Sequence, residues 1–123
     1  VYKLRSNIFR YIFLNGSLNG KVFFKIAVLT DVIYENYTRV VKISEKMFMC
    51  QGWINTSAQI NQGENIFGVS KQNPFTNLIL VNPTTNLSYS VLANPGNDYC
   101  ALQLVNSNLP QGYYYISGFL INV

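Results

Sequence analysis

Residues 74–123 decide the fold, and they read PFTNLILVNPTTNLSYSVLANPGNDYCALQLVNSNLPQGYYYISGFLINV. Four runs in this stretch are rich in β-branched and aromatic residues, and each run is closed by Asn, Pro or Gly. Short runs of this kind between turn residues are typical of consecutive β-strands. We expect the final strand to be held within a sheet. The four predicted strands cover residues 74–81, 87–93, 99–105 and 112–123.

The residues upstream carry further strand patterns. A turn with two Asn-Gly steps over residues 15–20 is a strong hairpin signal, because both residue types tolerate positive φ. We interpret residues 30–38 as a strand end followed by a loop, and residues 55–64 as a polar loop. The alternation of apolar residues and the β-branched content predict the other strands. These upstream strands cover residues 2–14, 21–29, 39–43, 46–54 and 65–69.

The number of strands and the lack of helical periodicity predict the fold class. Eight or nine short strands favour an all-β fold, which we expect to be an antiparallel β-sandwich of the jelly-roll or tumour-necrosis-factor-like (TNF-like) type. A length of 123 residues fits a single domain over residues 1–123, with a core that needs no metal or disulfide. Because the sequence begins with Val1 rather than Met, we expect a fragment or a processed product.

The last predicted strand is apolar on both of its faces. One face of a strand in a lone sandwich normally contacts water, so a second apolar face indicates contact with another subunit. The alternative is an ordinary surface that carries a few tyrosines. One face contains Tyr113, Tyr115, Phe119 and Ile121, and the other face contains Tyr114, Ile116 and Leu120.

The residue types argue against catalysis. The chain has no His, which removes the commonest general base and excludes Ser-His-Asp and Cys-His nucleophilic sites. No zinc ligand set and no phosphate-binding loop is present. We therefore expect a protein that is not an enzyme and that uses no cofactor and no metal. A small glycan-degrading enzyme remains an alternative; it would need two paired carboxylates among Asp31, Glu35, Glu64 and Asp98.

Charge and hydropathy limit the possible partners. The net charge is +4, but charged residues make up only 11% of the chain and the basic ones are scattered, so we expect no nucleic-acid-binding patch. No apolar run reaches the roughly 18–20 residues that a membrane span needs. Asn is the commonest polar residue. A surface solubilised by amides and hydroxyls rather than charges suits an exposed, extracellular protein.

Two further patterns each have two interpretations. Cys50 and Cys100 lie in predicted strands, where they either form one disulfide or remain two separate buried thiols. The Asn-x-Ser/Thr sequons are glycan acceptors only if the chain passes through a eukaryotic secretory pathway; otherwise they arise by chance in an Asn-rich chain. The sequons begin at Asn15, Asn36, Asn55 and Asn86.

Aromatic and polar side chains near the predicted loops are candidates for receptor binding. An aromatic ring can cover the apolar face of a sugar, while amides and carboxylates bond its hydroxyl groups. Trp53, the only Trp, lies at a strand end, and Tyr34 and Tyr37 flank another loop. Asn97 and Asp98 lie at the tip of a turn between two closing strands. Each of the five also has a purely structural interpretation.

The order of several short motifs resembles the C-terminal receptor-binding head domains of bacteriophage tail fibre and baseplate proteins. The resemblance covers residues 19–123, and it implies that the chain is the C-terminal fragment of a longer fibre protein. The motifs are Asn19-Gly20-Lys21-Val22, Gly52-Trp53-Ile54, Ile66, Pro74 and Gly112-Tyr113-Tyr114-Tyr115-Ile116-Ser117-Gly118-Phe119-Leu120-Ile121-Asn122. Two departures are a loop at residues 69–74 without the usual first Pro and Gly, and a longer, more apolar segment over residues 30–45. They leave open the head of another virus, such as an adenovirus-like fibre knob.

The resemblance implies a homotrimeric head on the virion surface, outside the cell, that binds a host-surface carbohydrate or protein receptor without a cofactor. The charge and hydropathy patterns described above lead us to expect no nucleic-acid partner and no membrane insertion. Simultaneous binding by several copies would raise, through avidity, the weak affinity of each single receptor contact. Within this interpretation we assign the tyrosine run 113–115 to packing or to the trimer axis, and the turn at residues 95–98 to receptor contact. The alternative is a structural capsid or baseplate jelly-roll subunit without a receptor site.

Overall fold

The computed structural model describes residues 22–24, 26–69 and 75–121. The strand predicted over residues 2–14 and the turn predicted over residues 15–20 lie outside this part of the chain. The described residues form antiparallel strands, and they contain no helix long and apolar enough to cross a lipid bilayer. The expected all-β antiparallel class with eight or nine strands is therefore confirmed.

Nine strands form one sheet, in the order β1-β3-β4-β9-β6-β7-β8-β5-β2. The final strand lies between β4 and β6, which confirms that it is held within the sheet. In chain order, the strands are β1 (Val22–Phe24), β2 (Ala27–Val28), β3 (Ile33–Lys42), β4 (Met47–Thr56), β5 (Asn65–Val69), β6 (Phe75–Val81), β7 (Ser88–Pro95), β8 (Cys100–Leu104) and β9 (Tyr113–Ile121).

The first two strands nearly close the sheet into a barrel. They lie at opposite ends of the strand order, although only two residues separate them in the chain. Val22 of β1 pairs with Val41 of β3, and Ala27 of β2 pairs with Gly68 of β5. Two strands that are close in the chain therefore form the two ends of the sheet. The nearly closed sheet has few unpaired strand edges with which other chains could pair.

The strand predictions hold best in the closing block. All four predicted closing strands are present, and β5 has the predicted bounds. Two predictions were wrong. The strand predicted over residues 21–29 is divided in two, because Val22–Phe24 pair with β3 whereas Ala27–Val28 pair with β5. Residues 33–38 are not a loop but the first half of β3, whose backbone pairs with β4 from Ile33 to Lys42.

The interior of the barrel is filled by alternate side chains of the long strands. The hydroxyl group of the fully buried Tyr114 donates a hydrogen bond of 2.5 Å to the carbonyl oxygen of Pro110. This partner removes the cost of burying an unbonded phenol. The predicted two faces of β9 are confirmed. The inward residues are Tyr114, Ile116 and Leu120, and the outward residues are Tyr113, Tyr115, Phe119 and Ile121.

Two glycines permit the close approach of the central strands. Gly52 has a φ of +154° and Gly118 a φ of +142°, values that residues with a Cβ atom rarely adopt. A Cβ atom at Gly118 would overlap the carbonyl oxygen of Asn77, and one at Gly52 would overlap that of Tyr37. Glycine at such positions lets strands bend sharply enough to curl a sheet into a barrel.

Both cysteines are buried as free thiols, so the structure contains two separate thiols rather than a disulfide. Burial raises the pKa of Cys50 from 9.0 to about 12. Burial also raises the pKa of Cys100, although a hydrogen bond from the Asn94 backbone acts in the opposite direction. A buried thiol that keeps its proton is a poor nucleophile, and both residues act as small apolar groups in the core.

Candidate functional site

The predicted binding residues fall on two separate surfaces. The end of β9 that carries Tyr115 pairs with the end of β6 that leads to β7, at Val81. Trp53 pairs with Tyr115 and so lies at this end of the barrel. The turn from β7 to β8, which carries Asn97 and Asp98, follows the opposite end of β7. The five candidates therefore do not form one site.

A polar depression of about 300 Å³ lies at the turn between β7 and β8. We call it the amide depression. Both Asn97 and Asp98 line it. Sequence reasoning missed its contribution from β5, because the 29 residues between Asn65 and Asn94 hide their proximity. Its lining residues with polar side chains are Asn65, Asn94, Asn97, Asp98 and Tyr99.

Hydrogen bonds hold the walls of the amide depression. The side-chain amide of Asn94 donates a hydrogen bond of 3.2 Å to the side-chain oxygen of Asn65. The backbone N–H of Gly96 donates one of 3.1 Å to the carbonyl oxygen of Tyr99, which closes the turn. Between Asn94 and β5 the strand β8 presents only the small Ala101. The site is thus a fixed concave surface above a packed sheet.

The chemistry of the amide depression suits a ligand rich in hydroxyl groups. An Asn side chain offers both a donor and an acceptor, a carboxylate accepts, and a phenol does both. Since Asn65 and Asn94 use one atom each on their mutual bond, the amino group of Asn65 and the oxygen of Asn94 are left for other partners. Asp98 is the one acidic residue of the lining, which includes no Lys or Arg, so the lining carries a single formal negative charge.

The second surface is a group of aromatic side chains on the outside of β3, β4 and β9. Tyr37 and Tyr115 are the direct cross-strand partners of Trp53. The rings of Trp53 and Tyr113 stack with their centroids 5.8 Å apart, and those of Tyr113 and Tyr115 meet edge to face at 5.3 Å. We call Tyr37, Trp53, Tyr113 and Tyr115 the aromatic cluster.

The aromatic cluster changes the interpretation of several tyrosines. Tyr37 and Trp53 were expected beside loops, but both lie within strands, where the register brings them together. Of the run 113–115, only Tyr114 is a core residue. Partial desolvation, together with the neighbouring phenol of Tyr115, raises the pKa of Tyr113, so this phenol is uncharged at neutral pH. The remaining candidate, Tyr34, is an exposed residue of β3 near a register shift.

The described part of the chain contains no group of three His, Cys, Asp or Glu side chains that could hold a metal ion. No family profile, curated protein or solved structure matches this chain at a significant level. The two surfaces, and the fold that presents them, are the features from which a function can be inferred. The amide depression can bind a small polar ligand, and the aromatic cluster offers a broad, mostly apolar contact.

Proposed function

We propose that this chain is the receptor-binding head of a viral or phage fibre, which attaches the virion to a glycan or protein of the host surface. It acts by binding rather than by catalysis, as a homotrimer on the outside of the virion. The observation that carries the proposal is the amide depression at the β7–β8 turn. Its position on a rigid barrel, in a chain with few charges, is typical of a recognition module.

The size and lining of the amide depression favour a single sugar unit of a surface glycan. A volume of about 300 Å³ is at the lower end of the range for small-ligand pockets. Four polar side chains converge on it, and the ring of Tyr99 supplies one aromatic surface. A single shallow site of this kind gives weak affinity. Several copies on one fibre raise the overall affinity through a high effective concentration.

A glycan array tests this proposal. We expect the purified wild-type protein to bind a restricted set of neutral glycans. The double variant N97A/D98A should lose at least about 10-fold in affinity, because two of the polar side chains that line the depression are removed. The control is Thr84→Ala in the β6–β7 turn, where the residue is exposed and far from the depression. Unchanged binding by the double variant would contradict the proposal.

A second candidate is a structural capsid or baseplate subunit without a receptor site. The observation that favours it is the exposed apolar surface of β3, β4 and β9, which suits assembly into a shell. The two candidates differ in what the isolated protein does. A receptor-binding head binds host cells and competes with the virion for attachment, whereas a shell subunit assembles but does not bind cells.

A further inference from the structure

The outside of β3, β4 and β9 carries a concentration of exposed apolar side chains. Among the described residues, nine large hydrophobic side chains are exposed, and seven of them lie on these strands or directly beside them: Tyr34 at the register shift of β3, and six others. Monomeric proteins usually scatter such residues singly. We call the six the outer apolar face; they are Tyr37, Ile43, Met47, Tyr115, Phe119 and Ile121.

The register of the sheet makes this face continuous. Tyr115 of β9 is adjacent to Trp53 of β4, which links it to Tyr37 of β3. Four residues further along β9, Phe119 is the direct partner of the half-buried Met49. At the end of the strands, Met47 pairs with Ile121. Only Arg39, Gln51 and Ser117 interrupt the face, as one polar row between its aromatic and aliphatic ends.

We infer that the outer apolar face is the contact between copies of this chain. This inference rests on the proposed function in so far as it identifies the surface through which the homotrimer forms. Three aromatic side chains of the face, Tyr37, Tyr115 and Phe119, are 44%, 49% and 39% exposed. With an aromatic side chain presenting roughly 150–250 Å², these three and their neighbours expose on the order of 500 Å². That area approaches the roughly 800 Å² that each partner buries in a standard interface.

The charge of the face favours a second copy over a foreign partner. Identical faces meet without like-charge repulsion only if they carry few charges, and the central rows of this face contain one charged residue, Arg39. A foreign partner is usually selected by complementary charges, which this face does not offer. The barrel is nearly closed, so copies associate through side-chain faces rather than through strand edges.

Sedimentation equilibrium of the purified chain tests the inference. We expect wild-type protein to have a mass three times the 14.0 kDa of one chain. Phe119→Lys should dissociate it, with self-association weakened at least about 30-fold, as for a hot-spot residue. The matched control is Leu87→Lys, which replaces an exposed apolar residue in the β6–β7 turn and should leave the mass unchanged. Circular dichroism verifies folding, and Tyr115→Lys is the second variant if Phe119→Lys does not fold.

The outcomes separate this inference from the proposed function. A monomeric wild type, or a folded Phe119→Lys variant that associates as tightly as the wild type, would overturn the inference. Neither result affects the amide depression, whose binding of monosaccharides is followed separately by NMR. A wild-type dimer that Phe119→Lys dissociates supports the face as the interface but contradicts the trimer. Loss of monosaccharide binding in N97A/D98A, with the mass unchanged, supports the receptor site independently.

Discussion

The side chain of Asn94 bonds to the side chain of Asn65 across an intervening strand, with a donor–acceptor distance of 3.2 Å. Asn94 belongs to β7 and Asn65 to β5, and β8 lies between them. The contact is possible because Ala101 of β8, the cross-strand partner of Asn94, projects only a methyl group. A larger side chain at residue 101 would both separate the two amides and fill the amide depression.

Replacement of Asn94 by Ala should weaken ligand binding far more than folding. The Asn94–Asn65 bond is solvent-exposed, so its loss should lower the free energy of unfolding by less than about 1 kcal/mol. The variant also loses one wall of the depression, and we expect at least a 10-fold weaker affinity (about 1.4 kcal/mol) for the best array glycan. Isothermal titration calorimetry measures the affinity. Ser88→Ala, at the other end of β7, is the control and should bind as the wild type does.

Replacement of Gly118 by Ala should strongly destabilise the barrel. The new Cβ atom would overlap backbone atoms of Asn77, which cannot move without breaking the β6–β9 pairing, and the φ of +142° is itself unfavourable for Ala. We expect a loss of at least about 3 kcal/mol in urea-induced unfolding. Gly112→Ala is the matched control. Its Cβ atom would meet its neighbours at 3.6 Å or more, so a similar loss there would contradict this explanation.

Cys50 should make the protein less stable as the pH rises above 9. In the unfolded chain the thiol loses its proton near pH 9.0, whereas in the folded barrel it keeps the proton up to about pH 12. Between these values the unfolded state binds fewer protons, so alkali favours unfolding by up to about 1.4 kcal/mol per pH unit. Below pH 9 both states are protonated and the contribution is constant.

The comparison of the wild type with Cys50→Ala isolates this contribution. The substitution leaves a cavity and lowers stability at every pH, but it removes the titrating group. Between about pH 8 and about pH 10 the wild type should therefore lose about 1.4 kcal/mol more than the variant. Equal slopes in chemical denaturation would show that Cys50 ionises as readily in the folded protein as in the unfolded chain.

The closing strands were predictable because their signals are local. Asn, Pro and Gly mark each turn, and the alternation in residues 113–121 assigns Tyr114 to the core and Phe119 to the outside. The first half of β3 was not predictable in this way. Tyr34 to Tyr37 are all exposed and show no alternation, and they are extended because β4 supplies their partners. A single sequence carries no signal for that pairing.

The candidate surfaces were predictable only in part, for the same reason. The turn with Asn97 and Asp98 was chosen from its composition, and the structure places both on the amide depression. Asn65 could not be added, since its position depends on the pairing of β5 with β8. Tyr37 and Trp53 were chosen separately, and only the β3–β4 register shows that they are neighbours. Each surface is formed by residues that are distant in sequence and are brought together only by strand pairing.

The central position of β9 also affects when the sheet can fold during synthesis of the chain. Cys50 and Gly118 are cross-strand partners, although about half of the chain separates them. During translation, β4 and β6 leave the ribosome before the strand that joins them exists. In that interval each of them has an edge with unpaired N–H and C=O groups, and a nascent chain is then most prone to aggregate. The middle of the sheet therefore forms only after synthesis of Tyr113–Ile121, and the barrel closes late rather than stepwise along the growing chain.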